Sequence, residues 1–161
     1  MAVVAPFCKY KKTNLKIYIV MLLAFAVYFA YDGYLSKYKW SKRYNFYKKH
    51  VIENGDKPTD TMKFNRYSPP FMIISAMGIA IYYLKVKDKK LVADGEAIVL
   101  SEKDRIPYNS IEGIKDNYKS KGFFIIEYKL PDGGKSQRKI SSRTYDNLDA
   151  VIELLVSKIT S

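Results

Sequence analysis

The chain has 161 residues, with 28 Lys and Arg against 16 Asp and Glu for a net charge of +12, and 15 of its residues are tyrosine. One Cys and one His exclude an internal disulfide, an all-Cys/His zinc site and an iron–sulfur cluster, and any Ser-His-Asp or Cys-His chemistry would have to use His50. The length allows one ordinary domain, or a small domain with membrane spans.

Residues 1–16 read as a basic tail carrying Lys9, Lys11, Lys12 and Lys16 with no acid. From Ile17 to Tyr31 no residue is charged, and Asp32 is the only charged residue in the 20 positions between Lys16 and Lys37. Roughly 20 apolar residues cross about 30 Å of hydrocarbon, so residues 17–35 are predicted to be a first transmembrane helix. Lys16 can snorkel at one end, and Tyr28, Tyr31 and Tyr34 fall at the other, where amphipathic rings favour the interface. The alternatives are a buried core helix or a cleaved signal peptide. A signal peptide fits poorly with a late, long segment that ends in YDGYL. Asp32 reads as an acid at the headgroup level, or as the partner of a loop lysine or of another subunit.

Residues 36–66 form a basic, aromatic loop. Trp40, Tyr44, Tyr47 and Val51 fall at helical spacing, with cations mostly elsewhere, which predicts a short amphipathic helix in the headgroup region or against a partner protein. The candidate interface residues are Lys37, Lys39, Trp40, Lys42, Arg43, Tyr44, Tyr47, Lys48 and Lys49, the lysines and Arg43 facing anionic headgroups. His50 closes the basic run and reads as a surface residue, since no nucleophile or acid clusters with it in sequence. Residues 53–60 (ENGDKPTD) read as a turn-rich connector.

Residues 67–84 (YSPPFMIISAMGIAIYYL) are 18 positions without a charge and are predicted as a second transmembrane helix. Ser68-Pro69-Pro70 reads as its start, a cap followed by residues whose missing N–H costs nothing in a first turn. Ser75, Gly78 and Ala80 offer a small-residue face for another helix. Two spans put both termini on one side. The acid-free tail and the free Cys8 favour the cytoplasm, although the loop's own net +5 leaves the opposite orientation open.

From Lys85 onward, short β-type runs alternate with turn signals. Leu91–Ala93 and Ala97–Leu100 flank Asp94-Gly95-Glu96 as a hairpin, and Arg105–Tyr108 reads as an edge strand. Ile111, Gly113 and Ile114 start a further strand. Gly122–Leu130 and Lys135–Ile140 flank the turn Pro131–Gly134. Residues 142–160 are predicted as a helix with Thr144 as cap and Asp146 in the first turn. Leu148, Val151, Ile152, Leu155 and Ile159 repeat at three- and four-residue spacing. Five or six antiparallel strands and one helix make a sheet that must curl into a barrel or lie on that helix.

Ile106-Pro107-Tyr108-Asn109-Ser110-Ile111-Glu112-Gly113-Ile114, then Gly122-Phe123, then Tyr145-Asp146-Asn147-Leu148 opening a terminal helix, resembles bacterial pleckstrin-homology-like (PH-like) domains. The resemblance covers residues 85–160. It implies an α+β chain in which two transmembrane helices precede a small antiparallel PH-like β-barrel closed by a C-terminal helix, with residues 85–161 as the domain. The stretch is short for that family, which implies a missing or reduced first strand. Many bacterial members are fused to membrane spans. The resemblance therefore implies an integral protein of a bacterial inner or intracytoplasmic membrane, and a scaffold that binds protein or lipid. It supplies no catalytic residues to carry over.

No Gly-rich phosphate loop is present, and the carboxylate pairs Asp94/Glu96 and Glu102/Asp104 read as solvated turn residues. Of the net charge, +4 lies in residues 1–16, +5 in 32–66 and +3 in 85–161, so the excess flanks the apolar segments, as anionic lipid selects and nucleic acid does not. The expected function is a non-enzymatic, membrane-anchored scaffold or accessory subunit of a larger membrane complex. Its expected partners are the lipid bilayer and other subunits or itself, with no nucleic acid, small-molecule substrate, cofactor or metal. The alternatives are a lipid-sensing module that reads anionic headgroups through the basic loop, and an enzyme completed by a partner chain.

Overall fold

The structure is a computed structural model and describes residues 2–101, 104–117 and 121–160; of the residues singled out above, Glu102 lies outside these. The chain forms two compact units, Asn14–Tyr83 and a second one assembled from Met1–Thr13 and Leu84–Ser161.

The first unit is helical. Helix α1 (Lys9–Ala30) begins in the other unit and passes into a π-helical turn over Tyr31–Leu35. Turns lead to the short α2 (Tyr44–His50), a 3-10 turn at Ile52–Asn54, and the long α3 (Asp60–Val86). Two helical segments, Lys9–Leu35 and Asp60–Val86, are long and apolar enough to cross a membrane. Only 6% of the apolar window of the first and 17% of that of the second is buried, far from the enclosure of a soluble core helix. The two helices run antiparallel, with Phe29 edge-on to Phe64 at 5.3 Å and Lys16 over the Tyr83 ring at 5.6 Å. Each carries a buried stripe at helical spacing, Ala26 and Gly33 on the first and Met62, Asn65, Pro69 and Ala76 on the second, and Asp32 is buried beside Gly33.

The start of α3 differs from the expectation. Thr59 caps the helix, its hydroxyl accepting from the Met62 N–H, so Pro69 and Pro70 lie inside the helix instead of at its entrance. The loop helix is also shorter than expected. It covers Tyr44–His50, and Trp40 lies ahead of it in a turn, stacked on Tyr38 at 5.6 Å.

The second unit is α+β. Its strands are β1 (Val3–Pro6), β2 (Lys90–Ala93), β3 (Ala97–Ser101), β4 (Asp104–Pro107), β5 (Ile111–Asn117), β6 (Phe123–Lys129) and β7 (Lys135–Ser141), followed by helix α4 (Leu148–Thr160). All pairings are antiparallel, in two sheets of order β1-β2-β3-β4 and β5-β6-β7. No closed barrel forms among the described residues. A 3-10 turn at Tyr108–Ser110 separates β4 from β5, and the two sheets stay separate. One core draws on both sheets and the helix: Ala5, Leu91, Ala93 and Ile98 from the first sheet, Phe124, Ile126 and Ile140 from the second, and Leu148, Val151 and Leu155 from α4.

Residues 2–16 form a strand and the start of α1 where a tail is expected. Val3 pairs with Ala93 and Pro6 with Lys90, so β1 is an edge strand whose proline sits where an edge tolerates it. The predicted hairpin at Asp94 is present. The Asp94 carboxylate accepts the N–H groups of Glu96 (2.8 Å) and Ala97 (2.7 Å), which hold its pKa below the ordinary value. The terminal helix starts at Leu148, later than the Thr144 cap predicts. Tyr145 instead bridges Phe7, and Asp146 accepts the Lys9 N–H at 2.8 Å, so it caps α1 and not the helix that follows it.

Across β5–β7, Glu112 meets Lys135 (2.9 Å) and Lys129 (3.0 Å), which draw its pKa below the ordinary carboxylate value. A carboxylate whose folded pKa is depressed contributes stability above its unfolded pKa and loses it as pH falls through the lower folded value. Glu112→Gln is therefore expected to lower the melting temperature slightly at neutral pH and to flatten the acid limb of its profile, so that variant and wild type converge at more acidic pH. The pair is solvent-exposed, so the effect should shrink in high salt.

Candidate functional site

The densest polar arrangement of the helical unit lies where α1 ends. Asp32 is 1% exposed, and Arg43 grips it with two bonds, Nε to Oδ1 at 2.8 Å and the terminal nitrogen to Oδ2 at 2.6 Å. This is the planar fork that suits Arg and that Lys cannot reproduce. The guanidinium also lies over the Phe46 ring at 4.8 Å and the Tyr28 ring at 5.9 Å. The hydrogen bond to Asp32 raises the Arg43 pKa above its ordinary value, so Arg43 stays cationic across the working pH range. Buried hydroxyls complete the turn: Ser36 donates to the Asp32 carbonyl and Ser41 to the Tyr31 hydroxyl at 3.1 Å.

The same turn interlocks with α3. Pro69 and Pro70 have no N–H, so the carbonyls of Asn65 and Arg66 lose their usual helical donors. Tyr34 fills one gap, its hydroxyl donating to the Arg66 carbonyl at 2.6 Å. At the other, Gly33 lies against the α3 backbone so closely that a Cβ would stand 2.6 Å from the Asn65 oxygen and 2.8 Å from its carbon. Only glycine permits that approach. In return Arg66 Nε donates to the Gly33 carbonyl at 3.1 Å. A π turn is a rare, strained element that is found mostly where a structure needs it. Here it turns Asp32 inward to Arg43 while Gly33 meets α3.

The predicted interface residues separate into two groups. Lys37, Lys39, Trp40, Lys42, Lys48 and Lys49 are exposed, Trp40 at 70%. Tyr44 and Tyr47 are half-buried and stack on each other at 6.4 Å. Arg43 stands apart, because its charge is taken up by Asp32. Asp32 therefore has the paired role, with an arginine of the loop where a lysine was considered. His50 bonds the Thr59 hydroxyl at 2.9 Å beside Phe46 and closes the connector. On α3, Ser75 and Gly78 are exposed and Ala80 is half-buried. The residue of that region that packs inside the unit is Ala76, and nothing lies within 4 Å of where a Gly78 Cβ would be. The interlock of Gly33 with Asn65 is the part that sequence reasoning missed. Its only signal was a glycine after the lone acid, together with two prolines set inside an apolar run.

No family model, curated protein or solved structure matches this chain.

Proposed function

We propose that this chain is a non-enzymatic, membrane-anchored scaffold or accessory subunit. In this reading α1 and α3 cross the bilayer as a hairpin, and the α+β unit docks other subunits. The observation that carries the proposal is the outward apolar surface of the two helices. Val20, Val27, Phe71 and Ile74 are 61–71% exposed, and burying each such side chain is worth about 1.5–3 kcal/mol, which hydrocarbon supplies and water does not. Pairing of β1 with β2 supports an even number of crossings, because the chain must return to the side it left. The acid-free basic segment of residues 1–16, ahead of the charge-free stretch that begins at Ile17, and the free Cys8 favour the cytoplasm for that side, and the inner or intracytoplasmic membrane of a bacterium as the setting.

The PH-like reading gains support from sheets of four and three strands that share one core with a terminal helix. In this reading Val3–Pro6, which pairs with β2, stands for the strand that the stretch after residue 85 lacks. The exposed Ser75 and Gly78 are where a partner helix would approach α3. Membranes washed with alkaline carbonate should retain the protein, and mild detergent should release it with companion chains on a native gel. Release into carbonate without detergent would sink the membrane reading, and a lone monomeric band would sink the subunit reading. One observation favours lipid sensing through the loop as a second reading: five lysines, Lys37, Lys39, Lys42, Lys48 and Lys49, are all exposed beside Trp40. Vesicle flotation that ignores lipid charge would remove it.

A further inference from the structure

Helix α3 presents three faces along its apolar length. The stripe through Met62, Asn65, Pro69 and Ala76 is buried. A second stripe, of Ile73, Ile74, Met77 and Ile81, is exposed and uniformly large and apolar, the composition that lipid tails accept. The third follows Phe64, Ser68, Phe71, Ser75, Gly78 and Tyr82 in alternating steps of four and three residues. Those steps make a heptad seam, with Ser68, Ser75 and Tyr82 at its a positions and Phe64, Phe71 and Gly78 at its d positions. Two hydroxyls and an absent side chain match hydrocarbon poorly and a closely packed helix well.

Two observations independent of the spacing say what meets this seam. The first is its shape. A groove of about 430 Å³ opens on it, and Ser68, Phe71, Met72 and Ser75 are among the residues that line it. In a parallel helix pair, a knob at a d position enters a hole made by the a, d, e and next a residues of the facing helix. For a knob at position 71 those four are Ser68, Phe71, Met72 and Ser75. The Phe71 ring is itself exposed, so one helix carries both the knob and the hole that receives it.

The second observation is the Ser68 hydroxyl. Its Oγ is buried and has no hydrogen-bond partner, a cost that no water can relieve in hydrocarbon. A hydroxyl both donates and accepts, so the same serine on an identical helix meets its need. The seam carries no charge by which a foreign helix would be selected. Copies threaded alike through a bilayer also hold identical residues at identical depth, which a two-fold axis requires.

We propose that α3 pairs in parallel with α3 of a second copy of this chain, the Phe71 ring of each helix seated in the groove of the other. The pairing names a partner for the subunit reading and rests on its membrane crossing, but not on docking by the α+β unit.

The test keeps the full chain in its native membrane. Ser75→Cys should give a disulfide-linked dimer on oxidation with copper phenanthroline. Ile74→Cys, on the large apolar face, should give roughly a tenth as much or less, because its sulfur points away from the partner. The wild type, whose one cysteine is the buried Cys8, should give none. Energy transfer between tagged copies in phospholipid vesicles then reads the affinity. Gly78→Leu should weaken association by roughly tenfold or more, and Met77→Leu should leave it unchanged. Nothing lies within 4 Å of a Gly78 Cβ, so the single chain accepts the substitution and its melting temperature should hold. No cross-link, equal cross-linking from both cysteines, or association indifferent to Gly78→Leu overturns the pairing. A Ser75→Cys product that contains a different chain overturns the second copy as the occupant. Release into alkaline carbonate defeats the membrane reading, whereas retention in the membrane as single copies defeats the pairing alone.

Discussion

Ala5→Asp is expected to unfold the α+β unit, although Ala5 lies far in sequence from every other strand. Ala5 is 0% exposed and sits in the core beside Leu91 and Ala93. Its strand covers one edge of β2 through four register pairs. An unpaired carboxylate there has no partner and no route to water. The cost should exceed about 4 kcal/mol, a large part of the roughly 5–15 kcal/mol that holds a domain of this size. Amide exchange at Phe124, Ile126 and Ile140 reads the result, since these residues lie in the second sheet and report on the shared core. Protection should be lost there while the helical signal of α1 and α3 persists. Wild-type protection in the variant would show that β1 is dispensable. A fragment covering 85–161 should fail in the same way, and adding back a peptide of residues 1–8 should restore protection.

The second large effect is an asymmetry in the Asp32–Arg43 pair. Arg43→Ala leaves a carboxylate that is 1% exposed with no countercharge, and breaking a buried pair from that side costs about 3–5 kcal/mol. Asp32→Ala leaves a guanidinium whose side chain is already 41% exposed and can turn to water, so about 2 kcal/mol is expected. The double variant should fall well short of the sum, because neither charge is then stranded. Arg43→Lys should recover only part of the loss, since an ammonium cannot form both bonds at once. Thermal unfolding in detergent measures all four. Equal losses for the two alanine variants would mean that the pair is not the determinant. Gly33→Val adds a steric test of the same turn, since its first side-chain atom would enter the Asn65 carbonyl.

Those two effects also mark where the sequence was legible and where it was not. The long helices are written in one dimension, as windows without charge, and they appear where the windows lie. The strands from Lys90 to Ser141 could be read for a similar reason, because the turn signals Asp94-Gly95 and Asp132-Gly133-Gly134 bracket them locally. What stayed hidden depends on partners distant in the chain. Val3–Pro6 is four residues long, too short to show a period, and only pairing with Lys90–Ala93 makes it a strand. Asp146 has the residue type and position of a first-turn acid, but its carboxylate serves Lys9 instead. Pro69 and Pro70 obey the rule for helix starts, yet the helix runs through them because Tyr34 serves one freed carbonyl and Gly33 admits close contact at the other. Nothing local to Asp32 names Arg43 among the loop's cations. The strands could be counted only approximately from sequence, and the failure of the sheets to close was not visible, because the break between Tyr108 and Ile111 reads as an ordinary strand boundary and only the structure shows it as the 3-10 turn that parts the two sheets.

The edge strand ahead of α1 has a consequence for biogenesis. Val3–Pro6 is made before both long helices, and its pairing partner emerges only after them. Until then the nascent chain holds half a ladder with no rung to meet. If insertion left one helix unthreaded, the two halves would stand on opposite faces of the membrane and could never meet. On the proposal that both helices cross the bilayer, the sheet would report on topology: correct threading lets the core close, and faulty threading leaves an exposed strand edge.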